Sequence, residues 1–236
     1  MVPCQLEKST DFISGELLLI EKPLEWTSFD VVKKVRNLIK KKLQIKKIKV
    51  GHAGTLDPLA TGLLIVCTGK FTKRIEEIQG QEKTYMGNFT LGATTPSFDK
   101  ETKVNHTFDT THITKQLLEK TAKQFVGEIN QIPPIFSALK KDGKRLYNFA
   151  RKNEEVEIKK RKVVVLSFEI TDINLPEVGF KIRCSKGTYI RSIANDFGNS
   201  LNSGAYLSKL CRTEIGEYNL KDAFSLNQVE EKIKLL

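Results

Sequence analysis

The segment GHAGTLDPLATGLL, residues 51–64, contains the residue types and spacing best suited to chemistry. Its one carboxylate, Asp57, lies between Leu56 and Pro58, and an acid among apolar neighbours tends to be partly desolvated and reactive. Pro58 favours an extended backbone at Asp57, and the flanking glycines allow tight turns. The segment therefore predicts a carboxylate presented on a fixed loop. An Asp-Pro turn with no chemical role accounts for the same residues.

The glycine pattern around Asp57 excludes two common nucleotide-binding loops. It lacks the GxxxxGK[ST] spacing of a P-loop and the GxGxxG spacing of a dinucleotide-binding loop. No second acid lies near Asp57 in the sequence, so a paired-carboxylate glycosidase site is not visible either. A distant acid could still approach Asp57 in the fold.

The composition is that of a soluble globular protein. The 236 residues are 39% hydrophobic and 28% charged, which is enough for one large domain, or one domain plus a small one. No apolar run approaches the roughly 18 residues of a membrane span, and the N-terminus does not resemble a secretory signal. The four cysteines are far apart and form no CxxC pair, and only three histidines are present. We therefore expect reduced thiols, no metal site and a cytoplasmic location.

The net charge of +11 is the first indication of a binding partner. Nine basic residues and no acidic residue occur in residues 31–50, and further basic segments occupy residues 140–162 and 181–191. A polyanion such as a nucleic acid suits this distribution. A solvated lysine-rich surface explains it as well.

Strand and helix patterns alternate along the chain without regular βαβ spacing. This predicts an α+β fold with a mixed or antiparallel sheet. The predicted strands are residues 17–20, 63–67, 85–91, 163–170, 178–184 and 208–215. The predicted helices begin after Thr27-Ser28, cover residues 71–79 and 114–125, run from Ile190 to Leu201, and end the chain after a Ser225 cap.

Five segments resemble the motifs of one enzyme family. GHAGTLDPLATGLL resembles the signature of the TruB family of tRNA pseudouridine synthases. Four other segments resemble family motifs in the same order, over about residues 15–220. They are GELLLIEKPLEWTS (15–28), KTYMGNFTLGATTPSFD (83–99), QIPPIFSALKKDGKRLY (131–147) and CSKGTYIRSIANDFG (184–198).

The resemblance implies a pseudouridine synthase fold with a mixed, mostly antiparallel sheet, flanking helices and loops, and TruB-type insertions. It implies one catalytic domain over residues 1–236. The implied reaction isomerises uridine 55 in the TΨC loop of tRNA to pseudouridine. No redox change occurs in that reaction, so the resemblance implies no metal and no organic cofactor.

The resemblance also implies a monomer that binds the T-arm of tRNA. Too few residues follow Gly216 for the C-terminal RNA-binding domain of many bacterial relatives, so we expect no separate domain there. The segment from Ile132 corresponds to a mobile element of the family, and we expect it to be flexible without RNA. A non-catalytic tRNA-binding or RNA-folding protein on the same fold, and a synthase for other RNAs, remain alternatives.

Asp57 matches the family's catalytic aspartate, which acts on the ribose or the base, or assists glycal formation. The resemblance implies that Arg191 pairs with Asp57 and keeps its carboxylate ionised and oriented. It implies that Tyr85 stacks on the target base. An exposed helix residue at Arg191 and a core aromatic at Tyr85 are the structural alternatives.

Four more residues match family positions. His52 would occupy space in the remodelled T-loop, and Tyr189 would pack beside the base. Leu210 would line an apolar pocket. Lys22 belongs to the Lys-Pro turn near the site, and a structural role is its alternative. A loop-capping histidine and a core leucine are the structural alternatives for His52 and Leu210. The basic helix after Ser28 and the basic segment 140–162 would bind phosphates.

Overall fold

The computed structural model describes residues 3–137, 139–141, 143–150, 154 and 156–236. The chain forms two compact units. The first unit comprises Met1–Tyr85 and Leu210–Leu236, and the second comprises Met86–Lys209. The chain passes between the units within two strands, β4 (Lys83–Leu91) and β12 (Ala205–Ile215).

The first unit is built around strand β3. Besides its parts of β4 and β12, its strands are β1 (Leu17–Lys22), β2 (Val50–His52), β3 (Ala60–Thr68) and β13 (Tyr218–Asn219). Its helices are α1 (Ser28–Leu43), α2 (Ile75–Gly80) and α6 (Leu226–Leu235), with 3₁₀ turns at Gly69–Arg74 and Leu220–Asp222. β1 and β2 pair antiparallel with β3, whereas the last part of β12 pairs parallel with it.

Helix α1 begins at a capping box. The Thr27 side chain accepts from the Asp30 N–H, and the Asp30 carboxylate accepts from the Thr27 N–H. Val31, Val35 and Ile39 lie at helical spacing and are buried against β1, β3 and α6. These residues fix which face of α1 meets the core and leave its basic residues on the other faces.

The close approach of β3 and β12 requires glycine at position 62. Gly62 has φ +103°, and a Cβ there would lie 2.3 Å from the Arg212 carbonyl oxygen. Such a contact is far too short for real atoms, so a larger residue would push the two strands apart. The pairing of Leu210 with Ala60 depends on this glycine.

The second unit has a sheet in the order β12, β4, β11, β10, β7. β10 pairs antiparallel with both β7 and β11. The core beside this sheet contains a cluster of rings, of which Phe89 and Phe180 stack with centroids 4.2 Å apart. The further strands are β5 (Ala93–Thr94), β6 (His106–Thr107), β7 (Gly127–Gln131), β8 (Lys140–Lys141), β9 (Lys144–Arg145), β10 (Arg161–Asn174) and β11 (Glu177–Cys184), and the helices are α3 (Lys115–Gln124), α4 (Leu146–Ala150) and α5 (Ile190–Ser200).

The predicted α+β class with a mostly antiparallel sheet is confirmed. Strands β2 and β7 were not predicted, and β2 and β3 shorten the predicted glycine-rich loop to residues 53–59. The predicted helix 71–79 is a 3₁₀ turn followed by α2. The single catalytic domain over residues 1–236 stays a prediction. No helix among the described residues is long and apolar enough to cross a membrane.

Candidate active site

Asp57 lies on the seven-residue loop between β2 and β3 in the first unit, and its side chain is half-buried. The Ser28 hydroxyl accepts from the Leu56 N–H (2.9 Å) and donates to the Leu56 carbonyl (3.2 Å). The Ala60 N–H donates to the Asp57 carbonyl (3.0 Å). The backbone on both sides of Asp57 is therefore fixed, as the sequence predicts for this loop.

Lys22 holds the same loop from the end of β1. Its side chain is fully buried, and Nζ donates to the carbonyls of Pro23 (2.8 Å), Trp26 (2.5 Å) and Pro58 (3.3 Å). Burial lowers the pKa of Lys22 to about 8, while the charge of Asp57 opposes this change. The ammonium stays protonated at pH 7, so its three N–H groups match three acceptors.

Arg212, which the sequence analysis did not single out, bonds both to the start of the loop and to β3. It is 1% exposed, its Nε donates to the Leu63 carbonyl (2.9 Å), and its Nη2 donates to the Gly54 carbonyl (3.0 Å). Arg212 follows Leu210 by two residues on β12, and residues two apart on a strand share a face. This two-residue period could have identified Arg212 from the sequence, because Leu210 was already predicted to face the site.

The other predicted residues of the first unit are buried or half-buried. His52 ends β2, and burial together with the charge of Arg212 lowers its pKa, which keeps the ring neutral at pH 7. Leu210 pairs with Ala60, and the Thr61 hydroxyl donates to the Leu210 carbonyl (3.3 Å). Leu210 therefore lies beside the strand that follows the Asp57 loop. Tyr85 is buried on β4.

In the second unit, Tyr189 is the N-cap residue of α5, and Gln131 at the end of β7 holds its backbone. The Gln131 Oε1 accepts from the Tyr189 N–H (2.8 Å), and its Nε2 donates to the Tyr189 carbonyl (3.0 Å). Gln131 is 1% exposed. The sequence analysis did not single it out, because one glutamine before a proline-rich segment has no recognisable spacing.

Arg191 is buried in the first turn of α5, so the interpretation as an exposed helix residue is wrong. Its Nη1 lies 3.6 Å from the Asp99 Oδ2, and its Nη2 donates to the Phe136 carbonyl (2.9 Å). Asp57 belongs to the first unit and Arg191 to the second. Their pairing stays a prediction.

Some of the predicted phosphate-binding residues lie outside the described residues. These are residues 142, 151–153 and 155 and the side chains of Lys140, Lys141, Lys144 and Arg145, all in the segment 140–162. The flexibility of the segment from Ile132 stays a prediction. Among the described residues, no group of three or more His, Cys, Asp or Glu side chains could hold a metal ion.

Residues 40–190 match the family model described as "TruB family pseudouridylate synthase (N terminal domain)". A protein of Flavobacterium johnsoniae named "tRNA pseudouridine synthase B" is 56% identical over 225 residues, which is 95% of this chain and 98% of the relative. A protein of the same name from Phocaeicola vulgatus is 54% identical over 221 residues, 94% of each chain.

Among solved structures, the chain is similar to one in a Cbf5–Nop10–Gar1 complex, with a TM-score of 0.68 and 27% identity. The similarity covers 93% of this chain, which spans 54% of the length of that one. The family model matches more than half of the chain, and each of the two bacterial relatives aligns with this chain over nearly the full length of both. The chain belongs to the TruB family of pseudouridine synthases.

Proposed function

We propose that the chain converts uridine 55 of tRNA to pseudouridine, with Asp57 as the catalytic residue. Relatives that share more than half of its residues are named for this enzyme. The observation that carries the role of Asp57 is its loop. Three buried side chains, Ser28, Lys22 and Arg212, fix the backbone of that loop by hydrogen bonds. Catalysis depends on this kind of positioning, because a displaced group loses much of its effect.

The reaction needs a carboxylate at this place. The N1–C1′ bond of the uridine breaks, a C5–C1′ bond forms, the C5 proton is lost and N1 gains a proton. Breaking the glycosidic bond builds positive charge on the ribose, which a carboxylate can stabilise or trap. The target base must leave the stacked loop of the RNA, at a cost of a few kcal/mol. Apolar and aromatic side chains can recover this energy by stacking.

We assign the remaining predicted residues to the flipped base and its surroundings. Tyr85 and Tyr189 would contact the base, Leu210 would line its pocket, and neutral His52 would fill the space that the base leaves in the T-loop. Arg191 would pair with Asp57. We also propose a monomer that binds the T-arm of tRNA in the cytoplasm, where its substrate is abundant.

The test is to incubate the protein with an unmodified tRNA transcript and map pseudouridine by carbodiimide labelling and primer extension. A transcript with cytidine in place of uridine 55 is the control. We expect one new stop, one nucleotide 3′ of position 55, and none with the control transcript. Tight binding without any stop would contradict the proposal and indicate a non-catalytic tRNA-binding protein. A stop elsewhere would indicate a different RNA target.

A further inference from the structure

A basic groove lies in the first unit between the C-terminal half of α1 and the start of β2. It has a volume of about 670 Å³. Val50, Gly51 and Thr72 are among its lining residues. Five basic side chains line it, and we call them the groove cations: Arg36, Lys40, Lys46, Lys47 and Lys49.

Two lysines of α1 have partners within the protein, unlike the groove cations. Lys34 forms an ion pair with Glu230 of α6, and the Lys42 ammonium donates to the Lys234 carbonyl (3.0 Å). The side chains of these two lysines therefore already have partners on α6. In the part of the chain that the structure describes, none of the groove cations forms an ion pair with a carboxylate. Their charge is left for an external anion.

We propose that the groove cations bind the sugar–phosphate backbone of the RNA substrate next to the loop that contains the target uridine. This inference rests on the proposed function. Gly51 lines the groove and is followed directly by His52, so the groove adjoins the strand that leads into the Asp57 loop. A nucleic acid supplies a row of phosphates that matches several cations at once, whereas one small anion would neutralise only one or two.

The groove contains one fixed donor and several adaptable ones. The Arg36 Nη2 donates to the Val50 carbonyl (3.1 Å), which holds this guanidinium between α1 and β2. Lys46, Lys47 and Lys49 are exposed and follow the end of α1 in a short segment. Such side chains can follow a phosphate backbone of any sequence. The groove would therefore set the register and strength of binding rather than the choice of base.

The experiment compares two double variants of the full chain that lose the same charge. The variant Lys46→Gln/Lys47→Gln removes two groove cations. The control variant Lys34→Gln/Lys42→Gln removes the two lysines that contact α6. Binding of unmodified tRNA is measured from 50 to 300 mM KCl. We expect the groove variant to raise the Kd roughly tenfold at 150 mM and to reduce the salt slope by about 1.4–1.8. The control variant should stay within about twofold of wild type.

Equal weakening in both variants would show that only net charge matters and would overturn the proposal. No change in the groove variant, and none in Lys40→Gln/Lys49→Gln, would overturn it as well. A wild-type protein that binds tRNA but forms no pseudouridine would refute the proposed function, while the binding comparison would still decide the role of the groove.

Discussion

The two units hold their candidate site residues in different ways. In the first unit, the buried cations Lys22 and Arg212 donate to main-chain carbonyls around Asp57. In the second unit, the neutral amide of Gln131 holds the backbone of Tyr189, and Asp99 lies beside the guanidinium of Arg191. In the first arrangement, charged side chains donate to the backbone carbonyls of a loop and its neighbouring strand. In the second, a side-chain amide and an ion pair hold the start of a helix. Mutations should therefore affect the two units differently.

The largest effect is expected for Arg191→Met. This change leaves the buried Asp99 carboxylate without the Arg191 guanidinium, which typically costs about 3–5 kcal/mol. The free energy of unfolding, measured with urea, should fall by this amount. The double variant Arg191→Met/Asp99→Asn should recover part of it, because the isolated charge is then gone. No recovery would show that the ion pair does not hold this helix start.

Arg212→Met should lower the free energy of unfolding by about 3–4 kcal/mol. The carbonyls of Gly54 and Leu63 lose a charged donor, the first of them part-buried and the second buried. The kcat should also fall, because the start of the Asp57 loop is no longer tied to β3 through Arg212. Arg212→Lys, which keeps the charge, should restore part of the kcat. A destabilised variant with unchanged kcat at low temperature would break the link between Arg212 and Asp57.

Gln131→Leu tests the neutral arrangement of the second unit. The Tyr189 N–H and carbonyl both lose their side-chain partner, and we expect a loss of about 2 kcal/mol in urea unfolding. If Tyr189 contacts the base, KM for tRNA should rise more than kcat falls. Gln79→Leu, at an exposed position of α2, is the matched control and should change neither the free energy of unfolding nor the KM.

The smallest effect concerns the pH dependence of Lys22. Its pKa is about 8 in the folded protein and about 10.5 when unfolded, so between these values the unfolded chain binds more protons. This group therefore makes the free energy of unfolding rise with pH across that window, by at most about 2 kcal/mol from pH 8 to pH 10. In Lys22→Met this rise of the free energy of unfolding with pH should be absent. Identical pH profiles of the two proteins would contradict the buried ammonium.

Much of the fold was predictable because its signals are local. Helix α1 has a capping box and an apolar stripe, and β10 and β11 alternate or run apolar over many residues. Strand β7, GEINQ, was missed because three of its five residues are polar and its pairing with β10 is a tertiary contact. Strand β2 has only three residues, too few for any period to show.

The site residues that belong to sequence motifs were predictable. The buried polar residues that hold the backbone around them were not singled out. Asp57, Tyr189 and Arg191 belong to recognisable segments, and the resemblance found them. Arg212 and Gln131 act through hydrogen bonds to backbone groups that are distant in sequence. For Arg212 the two-residue period from Leu210 was a signal. For Gln131 no local pattern reports such bonds, because an amide residue on a strand is usually exposed.

The central claim, that Asp57 is the catalytic residue of a pseudouridine synthase, is tested most directly by release of tritium from tRNA labelled at C5 of uridine. Wild type, Asp57→Asn and the exposed control Asp222→Asn are compared in single-turnover reactions, and binding is measured on the same RNA. The account predicts rapid release by wild type and Asp222→Asn, none by Asp57→Asn, and equal binding by all three. Release by Asp57→Asn at the wild-type rate would contradict it.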